Sequence, residues 1–198
     1  MGHSEDRWSR GAYSRVSQIP LLTVRGAIVA GSFAGVLYGI NFALQLLVGV
    51  FKMTGASGFI SGFTVPFFLV IACRMNRQWG TATMIWTIYS ALAIPTALMG
   101  TPGAYKLLVG FVGGMAYDLA FCSLKCRSFA VYPALFAYVI LLNLGFYAVY
   151  VWGLIPELAG GSMVKILITV SVVFVIEGLI SSYFANRFFV SRVEPMLR

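Results

Sequence analysis

Charge is what this sequence has least of. Only 10% of its 198 residues are charged, six of these are acidic, and the one histidine is His3. The body of the chain therefore lacks the imidazoles on which most metal centres and acid–base sites are built. No two carboxylates stand at a spacing suited to hydrolysis, and the glycine-rich loop that cradles nucleotide phosphates is missing. Cysteine is scarce too: Cys73, Cys122 and Cys126 fall near expected cytoplasmic helix ends, where thiols are kept reduced. Cys122 and Cys126 share a helical face, yet with no neighbouring His and no second pair they read as packing residues, not metal ligands. No enzyme, cofactor or metal site is expected. Internal repeats and low-complexity tracts are also absent.

What the sequence has in abundance is apolar length. It is 60% hydrophobic with a mean hydropathy of +0.88, far beyond a water-soluble domain of this size. A bilayer-crossing helix needs about 20 apolar residues, and charges, glycines and prolines mark off six such segments. They run near Val24 to Val48, Gly58 to Ala72, Gly80 to Leu98, Ala104 to Leu124, Phe129 to Trp152 and Met163 to Asn186. The expected class is an all-α integral membrane protein, a bundle of six transmembrane helices. Residues 1–20 form a polar N-terminal tail, 21–190 the membrane domain and 191–198 a short C-terminal tail. The first apolar stretch is long and has no small-residue cleavage site, so it is expected to be a retained helix rather than a signal peptide. Pro66 predicts a kink or an oblique path in the second segment.

The net charge of +8 would suggest nucleic acid on a soluble surface, but here it marks orientation. Eleven of the fourteen basic residues fall on one side of a six-helix arrangement: Arg7, Arg10, Arg15, Arg25, Arg74, Arg77, Lys125, Arg127, Arg187, Arg192 and Arg198. Lys and Arg are held on the cytoplasmic side, which puts both termini there, in a prokaryotic cell membrane. Only Lys52, Lys106 and Lys165 fall on the other face. A five- or seven-helix count would scramble this partition. Trp79, Tyr105, Tyr132, Tyr150 and Trp152 flank helix ends, as interfacial anchors do.

Several residues within the spans invite a function. The first helix carries two adjacent rows of small residues at four-residue spacing, Gly26, Ala30, Ala34 and Ala27, Gly31, Gly35, Gly39. Such rows let helix backbones approach closely in lipid, either within the bundle or against another subunit. In the fourth helix Lys106, Gly110, Gly114 and Asp118 line up at the same interval. The lysine and the aspartate stand about 18 Å apart along that helix, too far for an ion pair, so Asp118 is expected to cap or to meet Lys125 or Arg127. Glu177 falls mid-helix, where a carboxylate is costly unless protonated, paired or wetted; it is a candidate for structural hydrogen bonding or for coupling. Asn41 and Asn143 need partners inside the bundle. They are interhelical bridges or the floor of an outward-facing cavity, at whose mouth Lys52, Lys106 and Lys165 would favour an anionic solute.

Two of these signals belong together. Ala30-x-x-x-Ala34 and a glycine-rich fourth helix preceded by Thr101-Pro102-Gly103-Ala104-Tyr105-Lys106 resemble the substrate-binding S components of energy-coupling factor transporters, ABC-type importers of vitamins and related micronutrients. The likeness covers roughly 175 residues, from the first helix to the last, and extends to size, helix count and termini. The resemblance implies one solute bound in a cavity open to the outside, gated by residues 50–57. It implies docking through Ala30 and Ala34 onto a transmembrane T subunit joined to two cytoplasmic ATPases, and delivery by toppling in the bilayer. The competing expectations are a stand-alone secondary carrier, with Glu177 as its ion-coupling group, and a non-transport scaffold.

Overall fold

The computed structural model describes residues 20–50, 56–99, 102–151 and 163–197. Lys52 and the gate expected at residues 50–57 lie largely outside them. Among the described residues there are six main helices: α1 (Val24–Val50), α2 (Ala56–Asn76), α3 (Thr81–Ala93), α4 (Tyr105–Ser123), α5 (Val131–Val151) and α6 (Met163–Phe188). A π-helical turn, Phe189–Val193, and a 3-10 turn, Glu194–Met196, follow α6. No strand is present among the described residues; the nearest thing is a lone bridge between Leu21 and Trp79.

Neighbouring helices close a ring in the order α1, α2, α6, α5, α4, α3 and back to α1. The start of α1, the end of α2 and the end of α6 lie at one end of it: Asn76 Nδ2 donates to the Gly26 carbonyl at 3.0 Å and Arg74 Nη1 donates to Asn186 Oδ1. Thr23 is the N-cap of α1, its Oγ1 accepting from the Gly26 N–H at 3.2 Å. Gln78 Oε1 accepts from the Thr23 N–H and hydroxyl, which ties α1's entry to the α2–α3 connection. A Cβ at position 26 would displace that same Gln78 oxygen, so the glycine makes room for the bonds to Thr23.

The interior is aromatic. Tyr38 of α1 meets Tyr89 of α3 edge-on at 6.4 Å, Tyr89 meets Trp86 at 5.5 Å, and Trp86 stacks on Tyr138 of α5 at 4.9 Å. Rings in these geometries add to their area burial and fasten α1, α3 and α5 across the ring's centre. The outer faces are apolar instead of polar: Val24, Ile28 and Leu46 of α1 and Val172, Ile176 and Phe184 of α6 are all more than half exposed. Exposed apolar surface of this extent is compatible with contact with lipid.

Three helices among the described residues are long and apolar enough to cross a membrane: Val24–Gly49, Tyr105–Ser123 and Ser171–Met196. The third expected span, Gly80 to Leu98, differs from the structure. Its helix α3 stops at Ala93 and is followed by turns through Leu98. Pro95 accounts for the early stop: it has no N–H to continue the i→i−4 ladder and its ring crowds the carbonyl of the preceding turn, while Ile94 before it still holds helical angles of φ −48° and ψ −52°. At about 1.5 Å per residue, α3 is only about 20 Å long against a hydrocarbon core of about 30 Å.

Candidate functional site

The most elaborate polar arrangement in the bundle is the stripe that α4 lays against α3. Helix α3 begins at Gly80, which has φ +91° and offers no side-chain cap, so its first N–H groups need acceptors from elsewhere. Asp118 supplies them. Its Oδ1 accepts from the Ala82 N–H at 3.1 Å, and its Oδ2 from the Thr83 N–H at 2.8 Å and the Thr83 hydroxyl at 2.7 Å. At the other end, Lys106 Nζ donates to the carbonyls of Ala93, Thr96 and Leu98 at 2.9, 2.6 and 2.7 Å. Both charged side chains are fully buried. A carboxylate at the N-terminus and an ammonium at the C-terminus each oppose the helix dipole with the favourable sign.

Between these charges the backbones nearly touch. A Cβ on Gly114 would lie 2.6 Å from Thr83 Cα, and one on Gly110 would lie 2.9 Å from the Trp86 carbonyl oxygen. The four-residue register Lys106, Gly110, Gly114, Asp118 is thus a clamp that grips α3 at both ends. Of the two roles expected for Asp118, cap or partner of Lys125 or Arg127, the structure shows the cap, on the N–H groups of α3. The expectation for Lys106 is corrected. Lys106 is not at the mouth of a solute cavity: an ammonium has three donors, and three carbonyls take them all.

Asn41 is likewise committed to the bundle. Its Nδ2 donates to the Leu37 carbonyl at 2.9 Å, while its Oδ1 accepts from Ser61 at 3.0 Å and Thr64 at 2.9 Å. This bridges α1 to α2, fills the acceptor capacity of Asn41 and leaves one N–H of its amide for any solute. Asn143 and Lys165 belong to α5 and α6, with side chains outside the described residues.

The two small-residue rows of α1 have opposite fates. Ala30 and Ala34 are 0% exposed and belong to the core, in line with the buried Gly26, Leu37 and Asn41. Their expected role as the docking face is corrected: α2 and α3 already cover them. The neighbouring row faces outward. Gly31 is half-buried with Ile88 Cδ1 3.9 Å from where its Cβ would stand, and nothing lies within 4 Å of such an atom on Gly35 or Gly39. Beside this row a groove of about 490 Å³ runs over α3 and α4, lined by residues that include Thr83, Thr87, Ile88, Phe111 and Met115.

Glu177 lies on the α2–α6 seam. A Cβ on Gly62 of α2 would collide with its Oε2, and that buried oxygen has no hydrogen-bond partner among the described residues. One turn further on, Ser181 Oγ donates to the Phe63 carbonyl at 2.5 Å. The thiols of Cys73, Cys122 and Cys126 are free and buried. Lys125 and Cys126, with φ +55° and +52°, turn the chain back after α4 so that the Cys126 and Cys122 sulfurs stand 3.8 Å apart. Their shared hydrogen bond holds the Cys126 thiol below its ordinary value, against the opposing effect of burial and with help from the Arg77 cation.

Ser61, Thr64, Thr83 and Ser181 carry the interhelical hydrogen bonds and were not singled out from sequence. Isolated hydroxyls in an apolar helix have no spacing signature, so only their partners reveal them. Compared with known proteins, the chain matches no family model, no curated protein and no solved structure.

Proposed function

We propose that this chain is the membrane-embedded solute-capture subunit of an energy-coupling-factor type importer. On this reading it crosses the bilayer six times with both termini in the cytoplasm, binds a vitamin-like micronutrient from outside, and topples when docked on a T subunit driven by two ATPases. The third crossing is completed by the turns after Ala93, which Lys106 gathers onto the end of α3.

The observation that carries the reading is the open Gly31, Gly35, Gly39 row beside the α3–α4 groove. A glycine row lets a partner helix approach to backbone contact, and the groove offers room for its side chains. Docking therefore moves from Ala30 and Ala34 to the adjacent row of the same helix. For the solute, Lys52, Asn143, Lys165 and the remaining amide N–H of Asn41 are the candidates left once Lys106 is committed elsewhere. Their chemistry favours an anionic or carboxylate-bearing molecule.

The test is co-purification with the T subunit and ATPases, combined with native mass spectrometry for a bound small molecule. Gly35→Trp and Gly39→Trp should prevent assembly while the bound solute remains. Assembly that survives both substitutions, or a chain that carries no solute and recruits no ATPase, sinks the proposal.

A further inference from the structure

Four buried polar atoms have no hydrogen-bond partner among the described residues: Trp86 Nε1, Tyr117 Oη, Glu177 Oε2 and Ser182 Oγ. Three belong to neutral groups, whose cost is that of one missing hydrogen bond. Glu177 is different in kind, because it carries a charge unless something neutralises it. It stands fourteen residues into α6, among Val172, Ile176, Leu179 and Ile180, which are exposed on that helix's lipid-facing side.

Nothing built into the neighbouring helices can balance that charge. Of the elements packed on α6, α2 has one basic residue, Arg74, which is engaged with Asn186 and lies over the Phe189 ring at 4.5 Å. The remaining titratable group of α2 is Cys73. Helix α5 has no acidic or basic residue, only Tyr132, Tyr138, Tyr147 and Tyr150. On α6 itself the nearest cation is Arg187, ten residues away and hydrogen-bonded to Tyr183 at 3.3 Å. The carboxyl group is nevertheless seated in a definite place, against the notch that Gly62 leaves in α2 and beside Phe174.

We infer that Glu177 is a binding site for one small monovalent cation, a proton or a sodium ion, held at the α2–α6 seam and exchangeable with the surroundings. An ion from solution supplies the neutralisation that no described side chain supplies. The seam is locked on the Arg74 side of the carboxyl by the Ser181–Phe63 and Arg74–Asn186 bonds, so loss of the ion loosens the stretch around Gly62. The inference does not depend on the importer reading, because it uses neither the glycine row nor any partner.

The test uses the full-length chain in nanodiscs with the lipid-soluble reagent dicyclohexylcarbodiimide. A protonated carboxyl passes its proton to a carbodiimide nitrogen and adds its oxygen to the central carbon; acyl migration to nitrogen then leaves a stable adduct with no atom lost. Peptide mapping should find the adduct on Glu177. For an ordinary glutamate, half-ionised near pH 4.3, the reactive fraction falls about a hundredfold between pH 5 and pH 7. In sodium-free choline buffer, where the pH response is read, Glu177 should instead label at similar rates across that interval. If the ion is a proton, exchanging choline for sodium changes nothing; if it is sodium, labelling falls as sodium rises. Glu177→Gln, which needs no counter-ion, should have an unfolding temperature indifferent to whichever of pH or sodium governs the labelling, while the parent chain responds. No adduct on Glu177 under any condition, a hundredfold pH response, or equal labelling by a water-soluble carbodiimide would each overturn the inference.

Discussion

Removing the carboxylate that caps α3 tests the physical core of this structure. Asp118→Ala strips three hydrogen bonds, at 3.1, 2.8 and 2.7 Å, and leaves the N–H groups of Ala82 and Thr83 without acceptors in a site where Ala82 is 0% exposed. In soluble proteins a hydrogen bond to a charged group contributes about 1.5–3 kcal/mol; within membranes the average measured coupling is nearer 0.6 kcal/mol, because the disrupted state also finds partners. Three bonds then bracket the cost between about 2 and about 5 kcal/mol once non-additivity is allowed for. For a chain of this size that lowers the unfolding temperature by roughly 5–15 °C. Cys73, 1% exposed, is a native reporter: its reaction with a thiol-reactive fluorophore during heating in detergent marks the opening of the bundle. Asp118→Asn should fall between parent and alanine, since the amide keeps one accepting oxygen but turns its NH₂ toward a backbone donor. An unfolding temperature within about 1 °C of the parent for Asp118→Ala would refute the capping argument.

Lys106→Met, which keeps the length of the stem and deletes the ammonium, should also lower the unfolding temperature, because the carbonyls of Ala93, Thr96 and Leu98 lose their donor; a stable variant with weakened solute binding would restore Lys106 to the solute site. Gly114→Ala forces a methyl against the α3 backbone at 2.6 Å and should cost about 1–3 kcal/mol of stability by overpacking, whereas Gly35→Ala, in open space, should be neutral or stabilise by up to about 1 kcal/mol; equal effects would contradict the assigned faces of α1 and α4. Mass-mapped alkylation with iodoacetamide in the folded state should modify Cys126 before Cys73, since Cys126 is 9% exposed with its thiol below the ordinary value; comparable rates would show that the turn after α4 does not hold the dithiol as described.

Periodicity made the helices legible because apolar length is a property of one segment at a time. Five of the six expected segments correspond to helices whose ends differ from the expectation by a few residues. The third was overextended by five residues because the apolar run continues through Ile94, Ala97 and Leu98, although Pro95, with no N–H to continue the ladder, argues for an earlier stop. Partners were not legible. The Lys106, Gly110, Gly114, Asp118 register was evident in α4, but a sequence does not say which helix lies opposite: a cap could be expected of Asp118 without naming the helix it caps, and Lys106 was placed at a solute mouth although its donors go to the end of α3. Ala30 and Ala34 failed for a related reason. Both small-residue rows satisfy the same spacing, and only the position of α2 and α3 decides which is inside.

That failure also defines what a small-residue motif means in lipid. Burying apolar surface gives helices little reason to associate when the solvent is itself apolar, so close approach has to be arranged by removing side chains, and a helix needs such a strip wherever it is touched. Helix α1 is touched by its own bundle along Gly26, Ala30 and Ala34 and has a second strip, Gly31, Gly35 and Gly39, of which Gly35 and Gly39 are uncovered by the described residues. A helix that served only its own bundle would gain nothing from the second strip, since leucines there would face lipid equally well and glycine costs about 1 kcal/mol per position in helix propensity. The energetic cost of those glycines is the physical reason to look for a second membrane protein on that side of α1.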